Sequence, residues 1–201
     1  MKVVNMVMNG RVAEKLDLPY LAIQLNAEYE PEQFPGITYR IGPKGPDGWP
    51  TLGIFKSGAV LVTGAVTEEH GYKAINRLIE DLEYFDIKTI EIPFDTVNIV
   101  ATNTFRFPND YEGKDIAGKS QAGALHIINL NSFQLYLPFD KYEYQPENFP
   151  GLIYKTGPGS TVLLLFSSGK AVITGARTLD ETKESISIME NKLKTYREET
   201  K

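Results

Sequence analysis

The sequence predicts an α+β protein of two repeated halves, each an antiparallel run of strands closed by a helix that lies on one sheet face. Three observations lead there. First, three blocks recur in the same order: "VNMV" from Val4 returns as "VNIV" from Val97, "YEPEQFPGITYR" from Tyr29 as "YQPENFPGLIYK" from Tyr144, and "GIFKSGAVLVTGA" from Gly53 as "LLFSSGKAVITGA" from Leu164. The second pair shares seven of twelve positions and the third six of thirteen, and an ordered repeat fixes architecture before any single element does. Second, apolar and β-branched residues surround Lys56-Ser57-Gly58, a turn between two antiparallel strands. Third, each copy ends in an apolar stripe at three- and four-residue steps.

In chain order, each copy reads as a short strand, a variable stretch, a run of strands and a closing helix. The spacing between matched residues is 93 for Asn5 and Asn98, 115 for Phe34 and Phe149, and 111 for Phe55 and Phe166. The second copy therefore carries 22 extra residues between its first two blocks, and the first copy four extra in "GPKGPDGWP". Insertions of this kind belong in surface loops. The expected repeats are residues 1–90 and 91–201, the second with an insertion near 105–142. That insertion contains "HIINLNSFQLYLPF", whose apolar content suits either packed structure or an added contact surface. The first closing helix shows Ile75, Leu78, Ile79, Leu82 and Phe85 on one side, and the second Thr182, Ile186, Met189, Leu193 and Tyr196. Thr178 and Glu181 have capping-box spacing at the start of the second. The paired Pro-Gly dipeptides are read as simple turns.

Strand side chains alternate, so Leu164, Phe166, Val172 and Thr174 share one face, as do Gly53, Phe55, Leu61 and Thr63. With helices on the opposite face, this leaves uncovered apolar sheet, and such a patch marks a binding surface.

Composition sets outer bounds. At 201 residues, 22.5 kDa and 42% hydrophobic content, the chain can bury one large core or two small ones. The absence of cysteine excludes disulfides, thiolate catalysis and Cys-based zinc sites, and points to an intracellular protein. The apolar run at the amino terminus is too short for a signal-peptide core or a spanning helix, so no membrane role is expected. A net charge of −5 argues against a generic nucleic-acid binder, which carries a basic excess. All of that surplus lies in residues 1–100, with 9 basic and 14 acidic groups against 12 and 12 in residues 101–201. His70 and His126 suggest no metal ligand set. There is no GxGxxG, P-loop, GxSxG, HExxH or CxxC motif, and Glu68-Glu69 read as a solvated helix start, so neither enzymatic activity nor a cofactor is expected.

"YEPEQFPG", "IFKSG…VTGA", "LLFSSGKAVITGA" and the doubled "VN-V" strand starts together resemble the TATA-box-binding protein family, its archaeal type most closely, over both copies apart from the insertions. The resemblance implies a pseudo-twofold saddle: a curved antiparallel sheet with helices on its convex face, whose concave face binds the minor groove of A·T-rich promoter DNA. It also implies two Phe wedges per half, Phe34 with Phe55 and Phe149 with Phe166; this family is itself the standing example of minor-groove wedging and bending. Minor-groove edges of A·T and T·A pairs look alike and lack the guanine amino group. Small apolar side chains such as Val7, Val100, Leu61, Leu164 and Val172 can therefore lie against them. Asn5 and Asn98 can donate to adenine N3 and thymine O2, with hydroxyls from Thr63 and Thr174; Ser57 and Ser168, in the turns, complete the DNA-binding set that the resemblance implies.

Phosphate contacts depart from the family. Arg40, Lys155 and Lys170 stand at matched basic positions, but Glu32 and Gln33 precede Phe34, and Ala59 occupies the place matched by Lys170. Fewer phosphate contacts imply a shallow salt dependence, weaker affinity or a high-salt host. The resemblance further implies recruitment of a transcription factor B homologue, and through it RNA polymerase, by the turn holding Gln145, Glu147 and Asn148. It implies a monomer on DNA, with pairing of free molecules through their saddles left open, and a cytoplasmic, nucleoid location in an archaeal cell or a nuclear one in a eukaryote. Two alternatives stay open: a saddle paralogue binding a protein or another nucleic acid, and a sequestering homologue that has lost promoter affinity.

Overall fold

The computed structural model describes residues 1–42, 48–90, 93–105, 128–157 and 161–199. Residues 106–127 of the expected insertion, and His126 with them, lie outside that set. The chain forms two compact units, one of Val3–Ile99 and one of Met1–Lys2 with Val100–Lys201. The boundary falls inside a strand.

The first unit contains β1 (Lys2–Arg11), α1 (Leu18–Gln24), β2 (Gly36–Arg40), β3 (Thr51–Phe55), β4 (Ala59–Ala65) and α2 (Glu68–Tyr84). Its strands pair antiparallel in the order β2-β3-β4-β1. Alternation divides each strand cleanly: Met6, Met8, Ile37, Leu52, Ile54, Val60 and Val62 are buried, while Val7, Gly53, Phe55, Leu61 and Thr63 between them are only half-buried. The buried rows face α2, whose Ala74, Ile75, Leu78 and Leu82 supply the apolar stripe. Each fully buried Leu or Ile contributes roughly 1.5–3 kcal/mol by leaving water. Ile79 and Phe85, expected on that stripe, are half-buried at its margin. Thr67 caps the helix by accepting from the His70 N–H at 3.0 Å, and Glu68 and Glu69 complement its dipole.

The chain leaves the first unit along β5 (Asp95–Thr104), whose later half from Val100 opens the second, and then forms α3 (Leu130–Phe133), a 3₁₀ turn (Gln134–Tyr136), β6 (Tyr142–Glu143), β7 (Leu152–Lys155), β8 (Val162–Leu165), β9 (Lys170–Ala176) and α4 (Leu179–Glu199). The strand order β9-β8-β7-β6 is again antiparallel. Leu152, Tyr154, Leu163, Leu165, Ala171 and Ile173 pack with Ile186, Met189, Leu193 and Tyr196 of α4. At its start the Thr178 Oγ1 accepts from the Glu181 N–H at 3.1 Å, as the spacing predicts. The Glu181 carboxylate, however, accepts from the N–H of Arg177, one residue earlier than in a standard capping box.

The structure packs one side of "NLNSFQLYLPF" into the core and leaves Leu135 and Phe139 exposed. Ile128, Leu130, Phe133 and Leu137 are buried there, and the Phe133 ring meets Tyr196 edge-on at 5.4 Å. The segment is the counterpart of the first unit's α1 region. Asp17 and Asn129 both cap their helices, accepting from the N–H groups of Tyr20 and Ser132. The Leu16 N–H donates to the Lys56 carbonyl as the Ile128 N–H does to the matched Ser167, and Val12 and Phe105 do likewise to Gly58 and Gly169. The offset between counterparts rises from 93 at Val12 and Phe105 to 112 at Leu16 and Ile128. Nineteen of the 22 extra residues thus fall between Phe105 and Ile128.

Candidate nucleic-acid interface

Both phenylalanine pairs stand on the helix-free faces. In the first unit the Gln33 and Phe34 N–H groups both donate to the Glu30 carbonyl at 2.9 Å, and in the second the Asn148 and Phe149 N–H groups both donate to Gln145 at 2.9 Å. The same tight turn therefore delivers Phe34 onto Phe55, with ring centroids 5.4 Å apart at 61°, and Phe149 onto Phe166, 5.8 Å apart at 64°. These edge-to-face pairs hold their rings in place. Phe34 and Phe149 each keep 36% of their surface exposed.

The Pro-Gly dipeptides are not simple turns. Gly36 is the first residue of β2, directly opposite Phe55, and Gly151 stands just before β7. A Cβ at Gly36 would come within 3.0 Å of the Phe34 ring, 3.1 Å of Phe55 and 2.8 Å of the Ile54 carbonyl oxygen; at Gly151 it would come within 2.7 Å of Phe149 and 3.1 Å of Phe166. Each glycine is the seat on which a ring pair rests. Their recurrence in both copies was the available signal.

The remaining groove candidates keep to the same faces. Val7, Leu61, Val100, Leu164 and Val172 are half-buried between buried neighbours, and Thr63 and Thr174 are half-buried where the alternation ends, each before a glycine that is not buried. Thr63 Oγ1 donates to the Thr51 carbonyl across the sheet at 3.4 Å. Asn5 has a more telling partner: its Oδ1 accepts from the Gly64 N–H at 2.7 Å. A backbone N–H can only donate, so the amide's orientation is fixed, with Oδ1 on the Gly64 N–H and the NH₂ on the other side of the amide. Gly64 reaches that position with φ +88°, beside the register shift between Met6 and Met8. Asn98 is half-buried on β5.

Charge is distributed unequally. Arg40, exposed on the open face at the end of β2, is bridged at 2.6 Å to Glu28. Lys155 at the matched position of β7 forms no ion pair among the described residues, and Lys170 is exposed at the start of β9. Ser57 is exposed in its turn, where its Oγ accepts from the Ala59 N–H at 3.4 Å and its carbonyl from Arg11 Nε at 2.8 Å; Ser168 is half-buried. Gln145, Glu147 and Asn148 are all exposed, with Asn148 Nδ2 donating to Gln145 Oε1 at 2.8 Å. Glu28 and Arg11 are additions to the expected set. The repeat itself extended back to Glu28 and Glu143.

Other polar features lie on the helical side. Tyr39 donates to Asp81 of α2 at 2.8 Å, and Arg77 pairs with the same carboxylate at 2.8 Å. Burial, and then that hydrogen bond, push the Tyr39 phenol up to about 12. His70 Nε2 lies 2.7 Å from the Gly48 carbonyl and Nδ1 3.4 Å from the Val66 nitrogen, so the ring ties the Trp49 segment to α2. Lys73 lies over the Trp49 ring at 4.6 Å, beside an open cleft of about 490 Å³. Among the described residues no cluster of three or more acidic, His or Cys groups could hold a metal, and no helix is long and apolar enough to cross a membrane.

A family profile described as Transcription factor TFIID (or TATA-binding protein, TBP) matches residues 1–85 and 93–196. The chain is 35% identical over 200 residues to the TATA-box-binding protein of Methanocaldococcus jannaschii, covering 98% of this chain and 95% of that one. It is 33% identical over 195 residues to TATA-box-binding protein 2 of Methanosarcina mazei, covering 96% and 93%. The solved structure of Methanococcus jannaschii TBP superposes with a TM-score of 0.75 at 34% identity, over 96% of this chain and 98% of that chain.

Proposed function

Because the chain belongs to the TATA-binding protein family, we propose that it is a general transcription initiation factor that lays its helix-free sheet faces in the minor groove of A·T-rich promoter DNA. The observation that carries this reading is the repetition of one surface in both units: a half-exposed phenylalanine pair on a glycine seat, bordered by small apolar residues. The exposed part of each ring leaves water when it enters between base steps, and the energy so released offsets part of the unstacking.

The two repeats, 1–90 and 91–201, contribute equivalent contacts. Phe34, Phe55, Phe149 and Phe166 wedge and bend the duplex. Val7, Leu61, Val100, Leu164 and Val172 cover A·T edges, with Thr63 and Thr174 adding hydroxyls. Asn5 donates from the NH₂ opposite its bond to Gly64, and Asn98 serves the matched role. Arg40, Lys155, Lys170, Ser57 and Ser168 meet the backbone. Gln145, Glu147 and Asn148, exposed on the second turn, receive a transcription factor B homologue that brings RNA polymerase. The protein acts inside the cell as a monomer on DNA, pairs with itself when free, and performs no catalysis.

The test is fluorescence-detected bending of a TATA duplex beside a duplex of equal length with G·C pairs at the centre. Bending of the first alone is expected, because a guanine amino group clashes with the apolar face. Equal bending of both, or of neither, removes the reading.

A further inference from the structure

The ion pair on the first unit's open face has a geometry that bears on DNA binding. Glu28 is held opposite Thr38 by two backbone bonds, Glu28 N–H to the Thr38 carbonyl at 3.2 Å and Thr38 N–H to the Glu28 carbonyl at 2.9 Å. Directly opposed antiparallel residues share a face, and Arg40 lies two residues beyond Thr38, so Glu28 and Arg40 are diagonal neighbours on the face that carries Phe34 and Phe55. The bridge is short, at 2.6 Å, while the Glu28 side chain remains 66% exposed and that of Arg40 35%. The second unit repeats the backbone arrangement: Glu143 pairs with Ile153, and Lys155 lies two residues on. There the cation forms no ion pair among the described residues.

We infer that Glu28 withholds Arg40 from phosphate, acting as an internal competitor that weakens backbone attraction in the first unit and leaves the second unit's Lys155 available. The inference rests on the DNA-binding reading above. A phosphate that takes Arg40 releases a counterion, but the freed Glu28 carboxylate gathers a cation in its place, so the exchange adds almost nothing to the salt dependence. With Gln at this position no cation is taken up. Arg40 then counts as a full phosphate contact, steepening the slope of log K against log salt by about 0.9. The competing bridge is an exposed one, whose loss corresponds to roughly two- to fivefold in affinity at moderate salt.

The experiment is fluorescence-anisotropy titration of a TATA duplex at several salt concentrations with the full chain. Glu28→Gln is expected to bind about two- to fivefold more tightly and with the steeper slope. Glu28→Asp retains the charge and is expected to keep the wild-type slope. Glu143→Gln and Glu30→Gln leave the slope unchanged, which separates a specific latch from a general change of field. In an Arg40→Gln background Glu28→Gln has no further effect. Thermal midpoints monitor folding, which does not itself set a salt slope. Binding by wild type with an unchanged slope in Glu28→Gln overturns this inference and leaves promoter binding standing, as does a steepening that persists without Arg40. Failure of both wild type and Glu28→Gln to bind overturns the inference and the reading beneath it together.

Discussion

The Phe34 end of the first unit and the Phe149 end of the second are nearly identical in backbone and differ in charge. Both have the tight turn, the edge-packed rings, the glycine seat and a strand whose last open-face residue is basic. Around that shared frame the first unit has Glu30, Glu32 and an Arg40 bridged to Glu28, with Ala59 after its turn; the second has Gln145, Glu147, Lys170 and a Lys155 that forms no ion pair among the described residues. Apolar geometry is duplicated because each half must fill the same shape. Charge is free to diverge, because a screened surface charge near the groove changes affinity without changing the fold. The two ends should therefore respond alike to changes in the rings and differently to changes in charge.

The largest expected effect falls on the rings. Phe34→Ala and Phe149→Ala each remove a partly exposed ring that DNA would stack upon, costing about 1–3 kcal/mol of binding, or roughly 5- to 150-fold in affinity. Bending measured beside affinity should fall with both variants, while thermal stability changes little. A loss at one end only would break the equivalence of the units.

Glycine seats should separate the two ends by mechanism. An Ala at Gly36 meets the Ile54 carbonyl, a backbone atom that cannot swing away, as well as both rings; an Ala at Gly151 meets only rings within the closest contacts. Gly36→Ala is expected to cost on the order of 1–3 kcal/mol in urea unfolding. Gly151→Ala should unfold nearly as wild type does but lose DNA affinity, because displacing Phe149 is its easiest relief.

That contrast also marks what the sequence could and could not reveal. Face assignment was legible: a period of two places Phe55, Leu61, Thr63, Leu164, Val172 and Thr174 on one side whatever the details, and all are found half-buried. The glycine seats were not, because Pro-Gly is a generic turn signal and only the turn at Glu30 and Gln145 shows where the rings land. The kinship of α1 with "NLNSFQLYL" was hidden for another reason. Leu18 with Leu130, Leu21 with Phe133 and Leu25 with Leu137 preserve a core pattern and the caps Asp17 and Asn129, but across 16–25 and 128–137 only those two Leu pairs are identical. The Glu28 bridge needed strand register, which no local motif encodes.

Exchanging a single charge should make the ends converge. Lys170→Ala removes one phosphate contact and is expected to flatten the salt slope by about 0.9, while Ala59→Lys adds one and steepens it by a similar amount. The double variant should return close to the wild-type slope. An Ala59→Lys variant with no change would mean that the acidic surroundings of the first unit hold the new cation as Glu28 holds Arg40.

The smallest effect concerns the matched tyrosines on the buried faces. Tyr39 gives its proton to a hydrogen bond with Asp81 and has its phenol pushed up to about 12 by burial and that carboxylate; Tyr154 is raised by burial and then by Asp140. A phenol whose folded pKa lies above its unfolded value, about 10, contributes stability that is fully present below that value. Between about pH 10 and 12 the unfolded chain loses the proton first, so stability falls as pH rises through that window. Tyr39→Phe is expected to cost about 0.5–1.5 kcal/mol at pH 8, the range of a single hydrogen bond, and the gap from wild type should close as pH approaches 12. Tyr154→Phe should cost less at pH 8, since among the described residues its hydroxyl makes no hydrogen bond to lose. Urea midpoints of the three proteins from pH 8 to 12 decide the matter, and a gap for Tyr39→Phe that stays constant across the window would show that Asp81 does not hold the phenol protonated.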